Sequence, residues 1–402
     1  MTFVEGLYVR KYPYEHQLCR FSRALCVSRG TRCGQSVRNR RAFSQLTCLF
    51  SDLLDWSETE NIVVHWEAGE LARGSFGVVY AGEHRGTGTP VVIKAAPADD
   101  AFARSLLETE RYINRKLRDK AASNGVVESV EPFRWARYVG DVRLPNMSPP
   151  TAVARQCAPM ALVWQKEGSG ETLEDFLSGK PAAALAQALG TSDTSPGSVR
   201  LFRSTFRRVV GELLKALVQL QEWGIMHRDV KPANILVVPR AADDAPLKLI
   251  DFGSACDWRS FWKRGFDPDR ATCDPLYAAP ELFISPLRPD RFDVFSVGLI
   301  GLRVLVPTLH SEDRLRECVT LLRTRYQWDI EAWVADQVKK SARSRPVLQA
   351  LSTTDNLAEQ VALIAEDPAL LQLLRAMLRE SPFARVSAGR ALELYNFDAA
   401  LY

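Results

Sequence analysis

The sequence predicts an α+β fold in two lobes, a small strand-rich half followed by a larger helical half. Three observations carry this. From about Val63, short β-branched runs alternate with Gly, Thr and Pro turn signals. Beyond residue 168 the apolar residues recur at helical spacing almost to the end of the chain. Finally, 402 residues that are 46% hydrophobic and 25% charged can bury a sizeable core in more than one compact unit.

In the first half, IVVHWEAGEL, SFGVVYAGEH and PVVIKAA each read as strands. Residues 101–119 (AFARSLLETERYINRKLRD) combine strong helix formers with spaced apolar positions and predict a helix. A strand-like FRWARYVG, a Pro-rich loop LPNMSPPTA and an apolar strand around ALVW follow, and EGSGET breaks the pattern. TLEDFL then opens a helix with Thr172 as N-cap and Asp175 three residues on. After a polar loop at 190–198, Phe202, Phe206, Val209, Leu213, Leu217 and Leu220 share one face of a long helix. The last third, for example NLAEQVALIAEDPALLQLLRAML, is helical by the same test. No internal repeat is visible.

Charge is concentrated at the start of the chain. Up to Phe50, Arg10, Lys11, Arg20, Arg23, Arg29, Arg32, Arg38, Arg40 and Arg41 face only Glu5 and Glu15, so the rest of the +4 chain is slightly acidic. This mild balance makes no case for nucleic acid as a partner. Residues 1–57 form a basic N-terminal segment with two readings. It is an organelle transit peptide, being Arg-rich, Ser/Thr-bearing and acid-poor, or a disordered basic tail that touches acidic surfaces. No run of about 18 apolar residues occurs. The best candidate, LTCLFSDLLDW at 46–56, is interrupted by Asp52 and Asp55, and the expectation is a soluble or peripheral protein. Cys19, Cys26 and Cys33 recur every seven residues, which fits neither a zinc knuckle nor a CxxC pair. Cys157, Cys256, Cys273 and Cys318 are scattered and read as packing thiols; no structural metal is expected.

The most informative stretch is GIMHRDVKPANILVV at 224–238. His-Arg-Asp, with Lys two residues on and Asn five residues on, matches the catalytic loop of protein kinases. Phosphoryl transfer needs a carboxylate to accept the proton of the attacking hydroxyl, a cation near the γ-phosphate and an oxygen ligand for magnesium. Asp229, Lys231 and Asn234 place these three groups in one loop. Twenty-two positions beyond Asp229 comes LIDFGSA, with Asp251 placed as the second magnesium ligand. VVIK puts Lys94 on a strand to hold the α- and β-phosphates. Its ion-pair partner is expected to be Glu110, which Ile113 and Leu117 follow at helical spacing, with Glu108 the alternative. ELARGSFGVVYA would cradle the phosphates with Leu71, Ala72, Arg73, Gly74, Ser75, Phe76, Gly77, Val78 and Val79. Ala72 stands where the first glycine of G-x-G-x-x-G belongs; at negative φ it costs nothing, at positive φ roughly 1 kcal/mol. YAAPE at 277–281 closes the activation segment, its Glu281 is expected to pair with Arg385 of SPFARVSA, and Asp293 of DVFSVGLI to tie back to the catalytic loop.

From Val63 onward the chain therefore resembles the eukaryotic protein kinase family. The resemblance implies a bilobal protein-kinase fold over 63–399, with an N-lobe at 63–165 and a C-lobe at 168–399. It also implies ATP and Mg2+ as cofactors, and serine/threonine hydroxyls of protein substrates as acceptors, since Lys231 favours these over tyrosine. Arg228 would pair with a phosphorylated residue of the activation segment, Thr272 before Ser260, with Arg259, Lys263, Arg264 and Arg270 nearby.

Further stretches are similar to the state-transition kinases of thylakoid membranes, which phosphorylate antenna and photosystem proteins. They are Trp164 at the gate of the adenine pocket with Glu167-Gly168 beyond it, Asn114 after Glu110, Asp274-Pro275 where most kinases carry Gly-Thr-Pro, and LLRTRYQWDIEAWVADQV at 321–338. This implies a chloroplast location, peripheral to the thylakoid on its stromal side. No span is readable, so that group's regulatory cysteine pair is not carried onto Cys19, Cys26, Cys33 or Cys48. The alternatives are a cytosolic serine/threonine kinase and a pseudokinase scaffold, the latter against the presence of Lys94, Asp229 and Asp251.

Overall fold

The computed structural model describes residues 61–74, 77–123, 134–144, 157–191, 198–239, 245–259, 273–281, 285, 287–343 and 357–397. The basic N-terminal segment, Ser75, Phe76, Ser260 and Thr272 lie outside them.

Among the described residues the strand-rich half is an antiparallel six-stranded sheet. Its strands are β1 (Ile62–Val64), β2 (Glu70–Gly74), β3 (Gly77–His84), β4 (Pro90–Pro97), β5 (Tyr138–Arg143) and β6 (Cys157–Gln165). They run in the order β1-β3-β4-β6-β5, with β2 also on β3. IVVHWEAGEL, expected as one strand, is two: a 3-10 turn at Trp66–Ala68 and Gly69 at φ 77° redirect the chain. FRWARYVG also shifts, since the ladder begins at Tyr138 and Trp135 makes an isolated bridge to Leu249. One sheet face buries Ile62, Val78, Tyr80, Val91, Ile93 and Val163. The other packs Tyr138, Leu162 and Trp164 against Ala103 and Leu107 of α1 (Ala101–Ser123). Alternation along strands creates these two faces.

The helical half opens with α2 (Leu173–Gly179), where Thr172 and Asp175 form a capping box. It continues with α3 (Ala182–Ala188) and α4 (Val199–Glu222), capped by Ser198. Two small antiparallel ladders follow. The first pairs β7 (Ile225–Met226) with β10 (Cys256–Asp257), and the second pairs β8 (Ile235–Val237) with β9 (Leu247–Leu249). Helix α5 (Phe292–Leu305) is buried at every position, as expected of a helix at the centre of a lobe. It packs so closely that a Cβ on Gly301 would lie 2.7 Å from the Phe206 ring of α4. The half is completed by α6 (Glu312–Thr324), α7 (Ile330–Arg343), α8 (Leu357–Ala365), α9 (Pro368–Met377), which packs on α5, and α10 (Ala388–Leu394), which packs on α4. The QWDIEAW stretch belongs to this packing. Trp328 lies edge-on to Phe295 of α5, Trp333 is fully buried, and Asp329 accepts from Ala332 N–H at the start of α7. Among the described residues no helix is long and apolar enough to cross a membrane.

Candidate active site

The small ladders of the helical half hold the HRDVKPAN loop between β7 and β8, and Asp251 just beyond β9. Asp293, buried at the start of α5, accepts from the N–H groups of His227 and Arg228, both at 2.8 Å. These bonds hold Arg228 at φ 66°, a left-handed conformation that costs a non-glycine residue about 1–2 kcal/mol. The turn they fix presents Asp229. Its carboxylate is oriented from three directions: Asn234 Nδ2 donates to Oδ2 at 2.9 Å, Lys231 Nζ lies 3.0 Å from Oδ2, and Asp274 N–H donates to Oδ1 at 2.9 Å. Lys231 stays protonated, because Asp229 and Asp274 outweigh the burial that would lower it.

Asp251 also sits at positive φ, 62°. Its Oδ1 accepts from Lys94 Nζ at 2.8 Å and from Gly253 N–H at 3.3 Å. Lys94 donates equally to Glu110 Oε2, at 2.8 Å, whereas Glu108 is exposed. The other oxygen of Glu110 accepts from Phe252 N–H at 3.1 Å. One buried carboxylate of α1 therefore links the sheet to the segment after β9. Burial works against the Lys94 ammonium, yet Glu110 and Asp251 raise its pKa above the usual range. Burial would also raise Asp251, but Lys94 outweighs it, and this carboxyl stays anionic through neutral pH. Phe252 is buried against the His227 ring, centroids 4.8 Å apart, and His227 Nε2 is 2.9 Å from Ile250 O.

Register decides which residues of the glycine-rich hairpin share the Lys94 face. Val79 lies directly opposite Lys94, and Ala72 opposite Val79, so the three point one way. Val78 pairs with Ala95 and is buried in the core on the opposite face, away from the expected phosphate site. Arg73, opposite Val78, is exposed and ion-paired to Glu70. Leu71 sits at a bulge and is exposed. Ala72 is in regular strand, not at positive φ, and exposed. The alanine therefore carries no strain, and Ala72→Gly is expected to change nucleotide affinity by less than about twofold in a direct titration. Gly77 has a reason to be glycine: a Cβ there would lie 3.2 Å from Lys94 Cε and from Ala95 O. A Cβ on Gly74 would meet only Gly77 O, at 3.9 Å.

Trp164 closes the inner end of this face. Its indole Nε1 donates to Asn114 Oδ1 at 3.3 Å, Asn114 donates to Glu110 O at 2.9 Å, and Tyr138 packs edge-on at 5.7 Å. Val92, opposite Trp164, and Ile250 pack against the same cluster; neither stood out in the sequence. Glu167, on the segment joining the two halves, is bonded by the fully buried Lys248 at 2.9 Å. Farther off, Arg385 makes a two-pronged bond to Glu281, both contacts 2.8 Å. Cys157, Cys256, Cys273 and Cys318 are free thiols.

The oxygen donors fit a magnesium nucleotide. Asp251 is anionic and partly open, and the Asn234 amide uses its Nδ2 on Asp229, which leaves Oδ1 as a donor atom for a cation. Two protein oxygens suit Mg2+, which takes its remaining ligands from phosphates and water. A sheet with Lys94 bridged to Glu110 and Asp251, above a loop that aims Asp229, defines a protein kinase domain. Residues 184–395 match the protein kinase domain family, and the chain belongs to it. It is 27% identical over 321 residues to serine/threonine-protein kinase STN8, chloroplastic, of Arabidopsis thaliana, covering 70% of this chain and 61% of that one. It is 30% identical over 262 residues to the chloroplastic serine/threonine-protein kinase STN7 of the same plant, covering 59% and 43%. With human serine/threonine-protein kinase H1 the figures are 26% over 299 residues, covering 73% and 58%. The matched region thus spans less than two thirds of the length of each of these relatives.

Proposed function

We propose that this chain transfers the γ-phosphoryl group of Mg-ATP to serine and threonine hydroxyls of protein substrates. The observation that carries this is the joint arrangement of two clusters, Lys94–Glu110–Asp251 and Asp229–Lys231–Asn234. A bound magnesium ion would supply neutralisation of the phosphate charge. Asp251 and Asn234 would hold that ion. Lys94, kept in place by Glu110, binds the α- and β-phosphates, while Val79 and Ala72 floor the site on the sheet side. Asp229 accepts a hydrogen bond from the acceptor hydroxyl and takes its proton as the new P–O bond forms and the bond from the γ-phosphorus to the bridging oxygen breaks, which leaves ADP. Lys231 screens negative charge between that carboxylate and the transferred group.

Lys231 supports serine/threonine over tyrosine as acceptor. The discriminating test is phosphoamino-acid analysis of an acceptor protein labelled by the full chain: phosphoserine and phosphothreonine are expected, and phosphotyrosine as the main product would refute the assignment.

We further infer that this activity lies in the chloroplast, peripheral to the stromal side of the thylakoid, on antenna or photosystem proteins. Its support is the similarity to two chloroplastic relatives and the Arg-rich, acid-poor segment 1–57. Import of the radiolabelled full chain into isolated chloroplasts tests it. Protease-protected, shortened product with a new N-terminus between Arg41 and Glu60 is expected; a full-length product left outside the organelle would contradict it.

A further inference from the structure

Arg303 has a larger set of buried bonds than its place on a core helix requires. It lies near the C-terminal end of α5, is fully buried, and uses all three guanidinium nitrogens. Nη1 donates to Glu174 Oε2 at 2.5 Å and to Tyr277 Oη at 2.7 Å. Nη2 donates to Glu174 Oε1 at 2.7 Å, to Ser178 Oγ at 3.1 Å and to His310 O at 2.5 Å. Nε donates to Leu309 O at 3.2 Å. A planar donor fork of this kind fixes the orientation of every group it touches.

Two of those groups lead to the active site by different routes. Glu174 is in the first turn of α2, two residues after the N-cap Thr172, which bridges to Leu236 of β8, the strand that follows Asn234. Burial would raise the Glu174 pKa, but the bonds from Arg303 and Ser178 bring it below the usual carboxylate range. Tyr277 is buried three residues beyond Asp274. Its N–H and that of Ala278 donate to Asp274 O, and Ser296 Oγ of α5 donates to Tyr277 O. Asp274 in turn gives its own N–H to Asp229 and sets its carboxylate 3.7 Å from Lys231.

We infer that Arg303 is a positioning residue: acting through the Tyr277 hydroxyl, it holds segment 273–281 against the catalytic loop and so fixes Asp229 and the lie of the acceptor chain. This rests on the kinase reading for its kinetic consequence, but not for its structural one.

The test uses Tyr277→Phe, which removes one hydroxyl and leaves the ring in place, and Arg303→Lys, in the full chain. Hydrogen exchange by mass spectrometry is read first. Amides of 273–281 are expected to exchange about tenfold faster in Tyr277→Phe, with α5 amides unchanged. Equal exchange in this segment would overturn the inference, whether or not the wild type transfers phosphate. Kinetics then separate positioning from mere stability. The KM for a protein acceptor is expected to rise about fivefold in both variants, with the KM for ATP within about twofold of wild type. A Tyr277→Phe enzyme with unaltered acceptor KM would also overturn it. Wild type without transfer, but with the exchange difference present, would instead count against the kinase reading alone.

Discussion

Asp229→Asn is expected to lower kcat for protein phosphorylation by about 10³-fold, the scale of losing a positioned base. The substitution keeps the shape of the side chain and can keep the bond from Asp274 N–H, so the loop should remain folded. What disappears is the carboxylate charge that Lys231 and Asn234 now hold in place. Nucleotide affinity, which the proposal assigns to Lys94, Asp251 and Asn234, should stay within about twofold, and the melting midpoint within a few degrees. Initial rates at saturating ATP, beside a calorimetric titration, measure both. A rate within tenfold of wild type would take the base away from Asp229.

The second large effect is on stability. Arg385→Met should destabilise the helical half by about 3–5 kcal/mol, because it leaves the Glu281 carboxylate without its two-pronged partner. Arg385 also donates to the backbone oxygens of Arg379, Glu380 and Arg291, and its guanidinium lies over Phe295 of α5 with the ring centre at 5.0 Å. Methionine fills part of the volume and satisfies none of these acceptors. Adding Glu281→Leu removes the stranded charge, so the double variant should regain a substantial part of the loss. Urea unfolding of wild type, both single variants and the double closes this cycle. Single and double losses that simply add would show that the two side chains are not coupled.

Much of the candidate site was legible because its residues are nearly contiguous in the sequence. Asp229, Lys231 and Asn234 lie within one loop, and Asp251 falls at a fixed distance beyond it. Glu110 required only helical spacing, since one side of α1 must face the sheet. The hairpin was less legible, although a signal was present: adjacent strand residues face opposite ways, so Val78 and Val79 could not both line one site. Local motifs cannot show long-range geometry. Nothing around Arg303 says that its guanidinium reaches Glu174, 129 positions earlier, and Tyr277 at once. Nor does DPLYAAPE announce that the backbone N–H of Asp274 holds Asp229. QWDIEAW was distinctive enough to carry a resemblance, yet in the fold its aromatics pack beside α5 rather than in the site. The split of IVVHWEAGEL turns on the 3-10 turn at Trp66–Ala68 and on Gly69 at positive φ, which the strand-like residues on either side conceal.

We propose that the two clusters together form a competent phosphotransfer site. It is tested most directly by incubating the full chain with Mg-ATP labelled at the γ-phosphate and a generic protein acceptor, with Asp229→Asn and Asp251→Ala run beside it. Label is expected on serine and threonine, lost in both variants and on removal of magnesium by chelation. Tight nucleotide binding with no transfer to any acceptor, before and after phosphorylation of the chain itself, would contradict it and identify a scaffold that keeps the kinase shape without its chemistry.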